Sequence, residues 1–99
     1  MSTYIILINF TQQGLQNVHG SPHRAAAFKG AAKKVGVKVR DIFWTLGSYD
    51  GVLIFEAEND KLATSATLAL SSLGNVHTQT LRTFNAAEFA DILKKTPKL

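Results

Sequence analysis

Two short runs admit no polar residue: Tyr4-Ile5-Ile6-Leu7-Ile8 and Val52-Leu53-Ile54-Phe55. Successive side chains of a strand point to opposite faces, so a strand with one wet face alternates apolar and polar residues. A run that is apolar at every position has to be covered on both faces. Both runs therefore read as central strands of a sheet, and the rest of the chain has to supply the edges and the cover.

The intervening segments supply them in a recognisable order. Residues 11–20 are polar with two glycines and read as a loop with one helical turn around Gln13 to Val18. Ser21-Pro22 reads as an N-cap followed by proline at the first helical position, opening a helix to about Val35. Its apolar face is Ala27, Phe28, Ala31, Ala32 and Val35; Lys29, Lys33 and Lys34 face water, and Gly36 ends it. Residues 37–46 alternate as Val37 and Val39 against Lys38 and Arg40, then change phase to Ile42, Trp44 and Leu46, which predicts a bulge near Asp41. Gly47-Ser48 reads as a two-residue hairpin loop with glycine first, leading into a strand from Tyr49 to Ala57.

Asn59 or Asp60 can cap a second helix, Lys61 to Leu73, with the stripe Leu62, Ala63, Ala66, Leu70 and Leu73. Val76 to Phe84 is a polar strand with alternating threonines. Asn85 caps a last helix, Ala86 to Lys95, expected to bury Phe89, Ile92 and Leu93. The order is that of an α+β, ferredoxin-like split βαβ fold: βαββαβ plus a C-terminal helix, with a four-stranded antiparallel sheet. Its central strands are the first and third, here the two continuous apolar runs. The second and fourth are edges, and here they carry Lys38, Arg40, His77, Gln79 and Arg82.

At 99 residues, 45% hydrophobic and 18% charged, the chain has the composition of one globular domain, residues 1–99. Absence of cysteine removes disulfides, thiolate metal sites and cysteine nucleophiles. The run at Tyr4 has no preceding basic region and is far shorter than the roughly 20 residues of a membrane span, so no membrane association is expected and cytoplasm is the default location. The 11 Lys and Arg against 7 Asp and Glu give +4. These cations follow one helix and the C-terminal end and are not interleaved with aromatics, which favours a solvated helix face over a nucleic-acid surface.

The two main helices of this fold cover one face of the sheet, while the central strands are apolar on both. About six side chains on the other face, at roughly 1.5–3 kcal/mol each, represent about 9–18 kcal/mol as an upper value. Association costs roughly 4–15 kcal/mol. The expected partner is therefore a second copy, a homodimer or higher homo-oligomer with sheets face to face around an apolar cavity. Partial cover by the terminal helix is the alternative.

Three segments carry a family resemblance: the opening "TYIILINFTQQG", the central "LGSYDGVLIFEA" and the later "LSSLGNVHTQTLRTF". Together they resemble the GYD domain family, small proteins named for a Gly, Tyr, Asp motif, whose positions Gly47, Tyr49 and Asp50 fill. The resemblance covers nearly the whole chain and implies a ferredoxin-like domain of the dimeric α/β barrel type. It hands over no catalytic residues. A partial similarity to the effector-binding domains of leucine-responsive regulators, which bind small molecules at subunit junctions, comes without their helix-turn-helix portion.

The candidate ligand-binding residues are Trp44, Tyr49, Asp50 and His77. In a regular strand Asp50 falls on the Val52 and Ile54 face and Tyr49 on the Leu53 and Phe55 face, so they cannot form one two-residue site. Asp50 reads either as a carboxylate bonding turn backbone or as a polar anchor in an apolar pocket. Of Phe43 and Trp44, one faces the helices and the other the open face. His19 and His23 flank the first helix's start, far from His77 and without a neighbouring carboxylate, so no metal is expected. No nucleophile elbow, phosphate loop or dinucleotide fingerprint occurs, and no cofactor is expected. Two functions fit these features. One is a non-catalytic binding or assembly module with room for a small apolar or aromatic ligand. The other is a cofactor-independent, monooxygenase-like enzyme of the dimeric barrel type.

Overall fold

The computed structural model describes residues 1–99. Strands β1 (Ser2–Phe10), β2 (Lys38–Trp44), β3 (Gly51–Ala57) and β4 (Val76–Arg82) form one antiparallel sheet in the order β2-β3-β1-β4. The two continuous apolar runs are indeed central, and the polar strands are the edges. Helices α1 (Gln12–Gln16), α2 (Ser21–Lys34), α3 (Asp60–Ser72) and α4 (Ala86–Lys94) complete the α+β, ferredoxin-like arrangement.

Cross-strand pairing sets Tyr4 opposite Phe55 and Ile6 opposite Leu53. These four are buried, with Val39, Ala57 and the helix residues Ala32, Ala63 and Ala66, so the core lies between the sheet and the helices. The Tyr4 and Phe55 rings stack at 5.1 Å between centroids. The neighbours Ile5, Leu7, Val52 and Ile54 point to the other face and are only half-buried. As predicted, register shifts between Val39 and Asp41. The extra residue lets both Val39, opposite Phe55, and Ile42, opposite Leu53, face the helices.

Several local expectations need correction. The hairpin between β2 and β3 is not a two-residue turn: Trp44 pairs with Gly51, and the loop runs from Thr45 to Asp50. The Thr45 amide donates to the Asp50 carbonyl at 2.9 Å and its hydroxyl to the Tyr49 carbonyl at 2.6 Å, closing a wider loop. Ser21 does not cap α2. The chain enters this helix from a 3-10 turn, Val18–Gly20, so the N-cap is Gly20, and the Ser21 hydroxyl accepts from Trp44 Nε1 at 2.9 Å instead. Val35, expected on the buried face of α2, is 60% exposed.

α4 starts as expected, with Asn85 and Glu88 forming a reciprocal capping box. Its stripe, however, is not buried: Phe89, Ile92 and Leu93 are 52, 40 and 55% exposed. Glu88 pairs with Arg82 at 3.6 Å, and that guanidinium lies over the Phe84 ring at 4.3 Å. These contacts fix the start of α4, but no element of the chain meets its apolar side closely enough to bury it. No helix is long and apolar enough to cross a membrane.

The Tyr4 hydroxyl donates to Asp60 Oδ1 at 2.5 Å, tying β1 to the first turn of α3. Burial first, then the hydrogen bond and charge of Asp60, push the phenol above its ordinary value of 10.0. The folded state thus holds this proton where the unfolded chain releases it. Its contribution to stability is complete below pH 10 and is lost as pH rises from there through the folded-state value. Denaturant melts across this alkaline range are expected to show a decline that Tyr4→Phe reduces; an identical decline in the variant would assign it to other groups.

Candidate functional site

α2 packs on β2, whereas α3 packs on β3 and β4. The helices diverge, and a cleft of about 330 Å³ opens between them on the helix side of the sheet. Its floor is Ile8, Phe10, Gly51 and Leu53 from the central strands. Small side chains make it: α2 presents Ala25, Ala27 and Ala31 where leucines would have closed the gap, and Phe28 lines it together with Leu70 of α3 and Leu73 just beyond that helix. Fourteen of the nineteen lining residues are hydrophobic, and the charged ones are Arg24 and Asp50. Trp44, half-exposed and bonded to Ser21, stands at the end nearest the start of α2.

Asp50 joins the hairpin loop to β1. Its amide donates to the Ile8 carbonyl at 2.8 Å, and its Oδ2 accepts from the Phe10 amide at 2.9 Å. Ile8 opposite Gly51 is the last regular pair of β1 with β3, so the carboxylate satisfies the backbone donor one step beyond the end of the ladder. Oδ1 receives no donor from the protein, and Asp50 is one of the residues that line the cleft. Tyr49 goes the other way: its hydroxyl donates to Gln79 Oε1 at 3.3 Å. Gln79 pairs with Leu7, whose side chain lies on the open face, so the Tyr49 ring crosses β1 on that face.

The two residues do sit on opposite faces, but in the reverse of the expected sense. Asp50 lies outside β3 in a bend, where strand alternation does not hold, and its bonds to β1 turn it toward the helices. Gly47 has φ of +115° at the loop tip, a conformation that disfavours side chains, although nothing lies within 4 Å of where its Cβ would be.

A family model for the GYD domain matches residues 4–93. The chain belongs to the GYD domain family. It is 33% identical over 95 residues to the glutamine synthetase and cystathionine beta-lyase binding protein of Thermus thermophilus, covering 95% of this chain and 100% of the relative. A crystal structure of a protein from the same organism superposes with a TM-score of 0.55 at 25% identity, covering 87% of this chain and 96% of that one.

Within this GYD domain the motif has three separate tasks: Gly47 allows the loop, Tyr49 reaches across the open face, and Asp50 ties the loop to β1. Of the four candidate residues, Asp50 and Trp44 share the helix-side cleft. Tyr49 and His77 lie on the open face, His77 being exposed and opposite Asn9. The four do not converge, and no group of three or more His, Asp or Glu stands close enough to hold a metal. Arg24, Phe28, Asn75 and the α3 leucines were not anticipated as cleft residues. The signal was the alanine-rich inner side of α2, which reads as a core stripe until the separation of the helices is known.

Asp50→Ala is expected to destabilise the fold by about 1–3 kcal/mol, because it orphans the Phe10 amide. Asp50→Asn keeps an acceptor and should lie within about 1 kcal/mol of the wild type. Urea denaturation of both variants checks this; equal losses would mean that the charge, not the acceptor, holds the loop.

Proposed function

We propose that this GYD domain is a non-catalytic assembly module. It pairs with a second copy through the open face of its sheet, in the dimeric α/β barrel manner, and the pair binds partner proteins. The observation that carries this reading is the uncovered apolar face. Ile5, Leu7, Phe43, Val52, Ile54 and Leu81 lie on it, none of them buried, while α2 and α3 occupy the opposite side. These side chains are already about half-covered, so pairing gains roughly half of 1.5–3 kcal/mol for each, or about 9–18 kcal/mol over both copies as an upper value. That is comparable with, and can exceed, the roughly 4–15 kcal/mol lost on association.

The exposed stripe of α4, Phe89, Ile92 and Leu93, offers a second apolar surface. The relative named for binding glutamine synthetase and cystathionine beta-lyase supports enzymes as the class of partner. An enzymatic role would need the candidate polar groups together, and they are divided between the two faces.

Sedimentation velocity at micromolar protein is expected to give at least twice the chain mass of 10.8 kDa. A monomer at that concentration overturns the pairing. Immobilised glutamine synthetase and cystathionine beta-lyase, probed with the purified chain, test the second half, and binding to neither removes enzymes as partners.

A further inference from the structure

We propose that the cleft between α2 and α3 is a binding site for a small apolar amine, whose hydrocarbon body fills the cleft and whose ammonium group is held by Asp50. This site lies on the side of the sheet away from the proposed pairing face and does not depend on pairing.

The volume of about 330 Å³ lies at the lower end of the roughly 300–1,000 Å³ range of small-molecule pockets. Such pockets combine apolar walls with a few fixed polar groups, and this one has that character. Its walls and floor are Phe10, Phe28, Leu53, Leu70 and Leu73, mostly held on regular elements.

The two charged groups at the cleft are not equivalent. Arg24 Nη1 donates to the Asn17 carbonyl at 2.8 Å, which directs the guanidinium toward the loop before α2. Asp50 is fixed by its Oδ2 bond to Phe10, and Oδ1 retains its acceptor capacity. A carboxylate oriented by a backbone amide, with one free oxygen beside an apolar cleft, favours a donor that carries positive charge, because charge-assisted hydrogen bonds are roughly twice as strong as neutral ones. The lysines that give the chain its net charge do not line the cleft.

The test uses a matched pair with one hydrocarbon body, 4-phenylbutylamine and 4-phenylbutyrate. Each is titrated into the full chain by calorimetry, with Trp44, the only tryptophan, as a fluorescent reporter at the cleft wall. The amine is expected to bind saturably and at least about tenfold tighter than the acid, the ratio that one charge-assisted hydrogen bond supplies. Asp50→Asn turns an amide N–H₂ toward the cleft if its oxygen keeps the Phe10 bond, so the preference should fall to within about threefold. Ala31→Phe fills the cleft from an exposed position and should abolish binding of both compounds while the circular dichroism and thermal melt stay those of the wild type. Failure of the amine to bind, equal affinity for the acid, retention of the preference by Asp50→Asn, or undiminished binding by a folded Ala31→Phe would each overturn the proposal.

Discussion

Gly14→Ala is expected to lower the melting temperature by about 12–24 °C. A Cβ at Gly14 would stand 2.0 Å from the Asn75 carbonyl oxygen and 3.2 Å from the Phe10 ring. The backbone oxygen cannot move away freely. It accepts from the Thr11 amide at 3.0 Å, while the Thr11 hydroxyl donates to the Gly74 carbonyl at 2.6 Å. Gln13 Nε2 adds a bond to the Leu73 carbonyl at 2.9 Å. Together these bonds clasp α1 against the turn between α3 and β4. Relieving the overlap breaks part of that clasp, at about 3 kcal/mol, the upper part of the usual overpacking range. For a domain of this size each kcal/mol shifts the midpoint by roughly 4–8 °C. Gly30→Ala is the control: it lies inside α2 with nothing within 4 Å of its Cβ position, and it should stabilise by about 0.5–1 kcal/mol. Thermal melts of the two variants should move in opposite directions. An unshifted Gly14→Ala melt would mean that the turn does not press on α1.

Ile54→Lys is expected to convert the proposed dimer to a monomer at micromolar concentration. Ile54 lies on the open face between Ile5 of β1 and Asp41 of β2, so a lysine there remains solvated in the single chain. In a twofold pair the substitution enters the interface twice. Desolvating unpaired ammonium groups costs several kcal/mol per ion. Even a combined loss of about 4 kcal/mol weakens the dissociation constant roughly a thousandfold. Because the core is on the other side, the monomer should retain its circular dichroism. Sedimentation of Ile54→Lys beside the wild type decides the matter: an unchanged dimer would place the interface elsewhere, with the α4 stripe the next surface to substitute.

The central position of β1 and β3 was legible because hydrophobic periodicity depends only on which faces of a strand are covered. The bulge near Asp41 was legible for the same reason, since Val39 and Ile42 can share a face only if one residue is added between them. The fate of Asp50 was not. Alternation places a side chain correctly only inside a regular ladder, and Asp50 sits where the ladder ends. Its direction is set by the Phe10 amide, a partner 40 positions away in sequence. The exposure of the α4 stripe was not legible on similar grounds: an apolar stripe says that burial is favourable, but not whether the surface that provides it belongs to the same chain.

By itself, then, the sequence determined which strands are central, which are edges and where the bulge falls, all of which rest on local hydrophobic pattern; the motif is legible by resemblance, and which side of the central strands meets the helices took the tertiary structure. Tertiary structure decided the helix-side cleft. Its width follows from how far α2 and α3 diverge across the sheet, and the alanines that permit the gap have the same pattern as alanines that close one. Tertiary structure also decided which of Tyr49 and Asp50 meets the helices: alternation already sets adjacent residues on opposite faces, and the long-range hydrogen bond from the Phe10 amide to Asp50 reversed the sense it gives.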